Sequence, residues 1–582
     1  MSRGKRSLRT SVQRFWEAVV PKADARKPRG RSYAEFLDRL GMLLPAEIKL
    51  LDASARGEPA SMGATRPSEM TATNQIRSGF LRFLALGGDE RACVHERGLR
   101  LQGAWISGDL DFEACRLAVP IRLDWCNIEG RLALRDADLP GLFLERTSIQ
   151  EIDAERLNCR GSVHIKDTVI DGQVFLRGAR IGGDFDCEGS HFVGEAEDCL
   201  HCDRVQISGD VVLGQPFNNN ALYAHRGVNF SGAQVDGDFR SNGATFGGEV
   251  WFIGARIKGD LDLSRISLTH GLSELVLTRA DIGGRIFFRR VTGAAQSITL
   301  RGASVAAIVD DMGSWKIADE LLLDGFRYNR FVDTGIQDGS EVWVHHSSPT
   351  DSKSRIEWLD RQRAQDPTTD FKPQPWEQLI KVLREIGLED GAKTVAIAKQ
   401  DRIHKSKRVS ELLHRIYGWL CGYGYRPSLL IVWALLVALT GAALFKVGAV
   451  LGVMAPTDWR IVAETTDPGC RPERGGNWTT CQSLHGRGYP SFDPLVYSFD
   501  LIVPVIATQQ TKDWAPATTW RCQHRNLLGF CELPLQENVI STTSGYWLLG
   551  LAFWLLARIV TLAGWAFGLM FVAIVSGLIK RD

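Results

Sequence analysis

The chain is short of most features that mark an enzyme or a nucleic-acid binder. Its 69 Lys and Arg are matched by 68 Asp and Glu, a formal charge of +1 over 582 residues, so there is no net field to gather a polyanion. Nucleic acid is therefore not indicated as a partner. No Gly-x-Gly-x-x-Gly joins a strand to a helix, which leaves a dinucleotide fold without support. The 12 histidines are scattered and form no His-Glu-x-x-His or other tight ligand set. No nucleophile elbow or Ser-His-Asp signature stands out either. The expectation is a protein that is not an enzyme, with no catalytic, cofactor or metal site. The opening stretch from Met1 to Lys27 is basic but holds no apolar core, so it does not read as a secretory signal. Proline is sparse, 21 against 58 glycines, which points to turn-rich β structure rather than disorder.

What the chain does have is apolar length near its end. Pro427 to Phe445 and Ile559 to Ile579 contain no charge, and each run is long enough to cross a bilayer. Between them Pro494 to Ala507 is apolar apart from Asp500, too short to span but suited to a re-entrant or interfacial segment. Lys399, Arg402, Lys405, Lys407, Arg408, Arg415 and Arg426 precede the first run, and Lys580 and Arg581 follow the second. The positive-inside rule then puts both chain ends in the cytoplasm. Spans are expected at about 427–447 and 546–579, with an extracytoplasmic region at about 456–544 and a re-entrant segment at 492–514. Cys470, Cys481, Cys522 and Cys531 fall in that outer region and read as two disulfides, with all three connectivities open.

The middle of the chain repeats. Ile106-Ser-Gly-Asp-Leu, Ile128-Glu-Gly-Arg-Leu, Ile170-Asp-Gly-Gln-Val and Ile181-Gly-Gly-Asp-Phe are copies of one apolar-x-Gly-x-apolar unit. Leu139-Pro-Gly-Leu-Phe is a further copy, and with weaker ones at Leu117, Ile149, Cys159 and Phe192 the period is 11 residues. Apolar residues alternate within each unit, which is strand periodicity, and the glycine is expected to turn a corner. Two units make a coil of about 22 residues, and stacked coils bury an apolar column that no single unit can bury. The spacing jumps to 26 and 28 around Glu195 to Asp203 and Gln215 to Asn220, which predicts loops inserted into two coils. The fold class expected is mainly β: a right-handed β-solenoid at 97–345 behind an N-terminal helical cap at 1–96. A linker and amphipathic helical hairpin at 346–426 and a two-helix transmembrane domain at 427–582 follow.

Units such as Gly103-Ala-Trp-Ile-Ser-Gly-Asp-Leu-Asp-Phe and Gly178-Ala-Arg-Ile-Gly-Gly-Asp-Phe-Asp-Cys resemble the pentapeptide-like β-solenoids of bacterial membrane proteins commonly labelled membrane-associated oxidoreductases. The likeness extends to Pro45-Ala-Glu-Ile-Lys-Leu-Leu, Gly422-Tyr-Gly-Tyr-Arg-Pro, Tyr497-Ser-Phe-Asp-Leu-Ile-Val-Pro and Gly564-Trp, nearly the whole chain. It implies a bacterial inner-membrane protein. The redox label finds no chemistry in the residues: the one Cys-x-x-Cys, Cys199-Leu-His-Cys202, sits in the repeat without a βαβ pattern.

Candidate functional residues lie in and around the spans. Gly422-Tyr-Gly-Tyr precedes the first span, so it is no selectivity filter, and Tyr425 and Arg426 are expected at the membrane interface or in gating. Pro494 suits the first turn of a helix, and Pro504 would break it. Asp500, Pro504, Thr508 and Gln509 are the candidates for lining a pore. Arg558, near the start of the second apolar stretch, either snorkels to the outer headgroups or faces a polar cavity. Gly564, Gly568 and Gly577 would allow close helix approach in a homo-oligomer. The favoured expectation is a channel-like membrane effector gated by a ligand or protein bound to the cytoplasmic solenoid, with membrane lipids as further partners. The alternatives are a membrane-anchored scaffold and, third, a membrane-associated oxidoreductase.

Overall fold

The structure is a computed structural model that describes residues 33–195, 198–215, 220–269, 273–338, 342–362, 371–405, 416, 418–470, 476–486, 488–503, 508–517 and 540–576. The chain forms two compact units, Met1–Val395 and Ala396–Asp582. The helices used below are α1 (Tyr33–Leu40), α2 (Pro45–Arg56), α3 (Ser78–Ala85), α4 (Ser352–Asp360), α5 (Gln374–Glu385), α6 (Glu389–Lys405), α7 (Ser428–Val450), α8 (Pro494–Ile502) and α9 (Ile540–Val575). Helix makes up 33% of the chain. The expectation of a mainly β protein therefore holds for the repeat and not for the whole, because caps, linker and C-terminal region are all helical.

The first unit is a parallel β-solenoid of about 10 turns. From Asn158 to Val276 each coil contributes four short strands, elsewhere some of these merge into longer ones, and each strand pairs with its counterparts in the coils on either side. One inward column runs Ile121, Leu142, Val163, Phe185, Val211, Phe239 and Leu261, all at most 2% exposed. These partners are 21, 21, 22, 26, 28 and 22 residues apart. The 22-residue coil and both insertions stand as expected. A third insertion, unread in the sequence, lies between Leu268 and Leu275, at the same corner of the coil as the one between Phe192 and Leu200.

Gly108, the motif glycine of the first copy, turns with a positive φ of 81°, but in later copies the motif glycine does a different job from the one expected. Gly183, Gly209, Gly237 and Gly259 do not adopt left-handed backbone. They sit where coils touch: a Cβ on Gly237 would lie 2.7 Å from the Gly209 carbonyl oxygen, and one on Gly259 2.7 Å from that of Gly237. The aspartate after each glycine ties the coils together. Asp184, Asp210, Asp238 and Asp260 each accept, through Oδ1, the backbone N–H of Asp210, Asp238, Asp260 and Arg285 in the next coil, at 2.6–2.9 Å. Left-handed corners fall elsewhere, and several are occupied by residues that adopt that conformation at a cost, among them Trp125, Arg146, Arg156, Arg204 and Arg279.

Both ends of the solenoid are closed by helices and by a carboxylate–arginine pair, half-buried at the first end and fully buried at the last. At the first coil, Glu47 of α2 accepts from Arg77 Nε at 2.9 Å and Nη2 at 2.6 Å, and from the backbone N–H of Arg77 and Leu44. At the last, Asp310 receives Arg355 of α4 through two bonds of 2.7 and 2.8 Å, with both side chains fully buried. Trp315 Nε1 donates to the same carboxylate, and Arg355 Nε donates to the Pro349 carbonyl. Gln374 and Gln378 of α5 bond the backbone of Gly325 and Tyr328, which satisfies part of the open edge of the last coil.

A buried pair broken on one side leaves an unpaired charge in the core, at a cost of about 3–5 kcal/mol. Arg355→Met is expected to lower unfolding stability by that amount in denaturant titration, and Asp310→Leu with Arg355→Met to recover most of it. A loss below about 1 kcal/mol for the single variant, the scale of an exposed pair, would contradict this role.

Candidate functional site: a short helix between two membrane-length helices

In the second unit, α7 and residues Leu548–Val575 of α9 are long and apolar enough to cross a membrane, with mean hydropathies of 2.4 and 2.0. Helix α8 packs against both of them. Its start is fixed locally: Asp493 Oδ1 accepts the N–H of Leu495 at 2.9 Å and of Val496 at 3.2 Å, and Pro494 occupies the first turn, where its missing N–H costs nothing. Two glycines make room for it. Gly441 of α7 faces Ser498, and a Cβ on Gly564 of α9 would lie 2.7 Å from the Ile502 Cα. Gly564 thus serves contact within the chain; Gly568 has open space beside it, and Gly577 lies outside the described residues.

The chain goes in and comes back. Ile502, at the end of α8, clusters with Val560 and with Ala438, near the middle of α7. Beyond it, Gln510 bonds back to the start of α8, its Oε1 accepting from Asp493 N at 3.1 Å and its Nε2 donating to the Ser491 carbonyl at 3.0 Å. Trp514–Pro516 then pairs antiparallel with Met454–Pro456, just past the end of α7. The helical parts of the 492–514 segment are therefore 494–502 and the single turn 510–513, and Phe492 and Trp514, in ring contact with each other, put both ends of the segment level with one end of α7.

The turn of this hairpin is held by Asp500. The carboxylate is 5% exposed and accepts from Thr508 N at 2.8 Å, Thr508 Oγ1 at 2.6 Å and Thr511 N at 3.3 Å. Thr508 and Gln509 are exposed, and Gln509 is left-handed (φ 72°). Of the four pore-lining candidates, Asp500 and Thr508 are brought into direct contact, Gln509 adjoins them, and Pro504 lies outside the described residues.

The other candidates separate. Cys470 and Cys481 form a disulfide with Cα atoms 4.8 Å apart, which decides one pair of the connectivity; Cys522 and Cys531 lie outside the described residues. Asp467 is near both sulfurs, but these are bonded to each other and not open to a metal. From the same loop, Asn477 Nδ2 donates to the Ala449 carbonyl at 2.6 Å, capping the end of α7. Before α7, Tyr423 is left-handed (φ 55°), and its hydroxyl donates to Asp401 of α6 at 2.7 Å. Burial, and then that carboxylate, push the Tyr423 phenol up. Arg426 is exposed and Tyr425 half-buried beside it. Arg558 is exposed, with its guanidinium 5.1 Å from the Trp554 ring. The Cys199 and Cys202 thiols of the solenoid are free, fully buried and pushed up by that burial, so neither is a ready thiolate.

No family model matches the chain, and no curated protein or solved structure matches it.

Asp500→Ala would remove the acceptor of two half-buried backbone N–H bonds and of the Thr508 hydroxyl, whereas Asp500→Asn keeps an acceptor oxygen. The alanine variant is expected to lose about 2–4 kcal/mol in thermal unfolding of the detergent-solubilised protein, and the asparagine variant less than half of that. Equal losses would show that charge, and not acceptance of these bonds, matters at 500. Non-reducing peptide mapping is expected to recover Cys470 and Cys481 in one linked species; free thiols at both positions would contradict the assignment.

Proposed function

We propose that the chain is an oligomeric, channel-like effector of the bacterial inner membrane. In this reading α7 and α9 cross the bilayer, the segment from Phe492 to Trp514 re-enters it from outside, and the cytoplasmic solenoid binds the ligand or partner protein that gates it. One observation carries the reading: a capped helix descends between two membrane-length helices to mid-height and the chain turns back. A simple anchor has no use for such an element, whereas a pore loop is built this way. The outward faces of the long helices support lipid as their surroundings, with Leu439 56% and Leu562 68% exposed. The repeat's resemblance to the pentapeptide-like membrane solenoids belongs to the same proposal.

The bonding of Asp500 changes which residues matter. Its carboxylate organises the turn, and the exposed Thr508 and Gln509 are the residues offered to a water-filled path. The same observation favours a second reading, a membrane-anchored scaffold whose solenoid binds a protein and whose spans conduct nothing, since a fully bonded carboxylate needs no ion.

Purified protein in liposomes separates the two. The channel reading predicts an ion flux that Thr508→Val or Gln509→Leu alters at unchanged protein incorporation. No flux, with or without the partner recovered on the solenoid, would leave the scaffold.

A further inference from the structure

We propose that the permeant species is a small inorganic anion and that Arg558 selects it. This rests on the channel reading, and it gives the pore charge to Arg558 rather than to Asp500, the charged residue among the pore-lining candidates of the sequence.

The inference comes from which charges are already used. Among the described residues of α7, α8 and α9 the charged side chains are Lys446, Asp500 and Arg558. Asp500 is buried and accepts three hydrogen bonds inside its own chain, so its charge is turned inward. Arg558 is the reverse case. It is exposed, its contact is the Trp554 ring, and among the described residues it has no carboxylate partner.

Its depth follows from the packing of α9 on α7. Phe553 lies against Gly448, two residues from the end of α7. Val560 clusters with Ala438 and Ile502 near the middle. Arg558 lies between these levels, about 7 Å below Phe553 at the rise of an α-helix. That is the layer of Asp500, which falls between Ser498, facing Gly441, and Ile502, beside Ala438. Lys446 is also exposed, nearer the end of α7. The exposed fixed charge of the span layer is thus positive at two heights.

An ionised side chain at such depth is retained where it faces a protein interior or water. Copies of the chain around a common axis place one Arg558 each on the shared path, and a ring of arginines favours anions, as a ring of carboxylates favours cations. The competing occupant is the phosphate of an outer-leaflet lipid, reached by snorkelling past Trp554.

The test is the reversal potential of the full-length protein in liposomes across a potassium chloride gradient. The wild type is expected to reverse near the chloride equilibrium potential, Arg558→Lys to stay there, and Arg558→Gln to shift toward potassium. A wild type that reverses near potassium overturns the proposal, as does an unchanged potential in Arg558→Gln, the result for a lipid-facing arginine. Conductance with the wrong selectivity refutes this inference alone. Absence of any conductance refutes the channel reading with it.

Discussion

Coil-to-coil contact is the constraint on which the first unit depends. Parallel strands in register bring each backbone to within touching distance of the next, and the interior then accepts one apolar side chain per column per coil. Everything regular in the sequence is a response to this. Glycine recurs where a Cβ would strike the carbonyl of the neighbouring coil, as at Gly237 and Gly259. Aspartate follows it because only a short acceptor reaches the next N–H, which gives the ladder from Asp184 to Arg285. A stack so built has two open ends, and each is closed by a helix and a carboxylate–arginine pair with a buried carboxylate.

The second unit solves a similar problem with different means. A half-length helix leaves its terminal backbone groups at mid-height between two long helices, where water is scarce under the proposed membrane reading. Asp493 caps the start of α8, Asp500 takes the N–H groups of the returning turn, and Gln510 locks the two arms together. The loop closed by Cys470–Cys481 caps α7 beside them. The charge that the sequence presents as a pore element is thereby used for architecture, and Arg558 is left as the exposed charge of that layer.

The legible part of the fold was the part set by periodicity and local chemistry. The 11-residue unit, the 22-residue coil, two of the three insertions and the proline-led start at Pro494 could all be read from residue order. The illegible part depended on contacts distant in sequence. Nothing marks Asp310 and Arg355 as partners across 45 residues, and nothing selects Cys481 for Cys470 among three cysteines. Gly183 and Gly237 read as turn formers because sequence does not distinguish a residue that needs positive φ from one that needs no Cβ. The corners where positive φ occurs hold glycines such as Gly178 and Gly232, but also arginines such as Arg146 and Arg204, which disfavour it. Asp500 was legible as unusual, but its purpose needed the return of Thr508 and Thr511 to its side.

In the proposed topology the chain between the two long helices enters and leaves the membrane on one side. Single cysteines at Ser491 and Lys512, both exposed and flanking the hairpin, report on it directly in intact cells treated with a membrane-impermeant maleimide. Both positions are expected to be labelled before permeabilisation. Labelling of one from outside and of the other only from the cytoplasm would mean a full crossing and would contradict that topology.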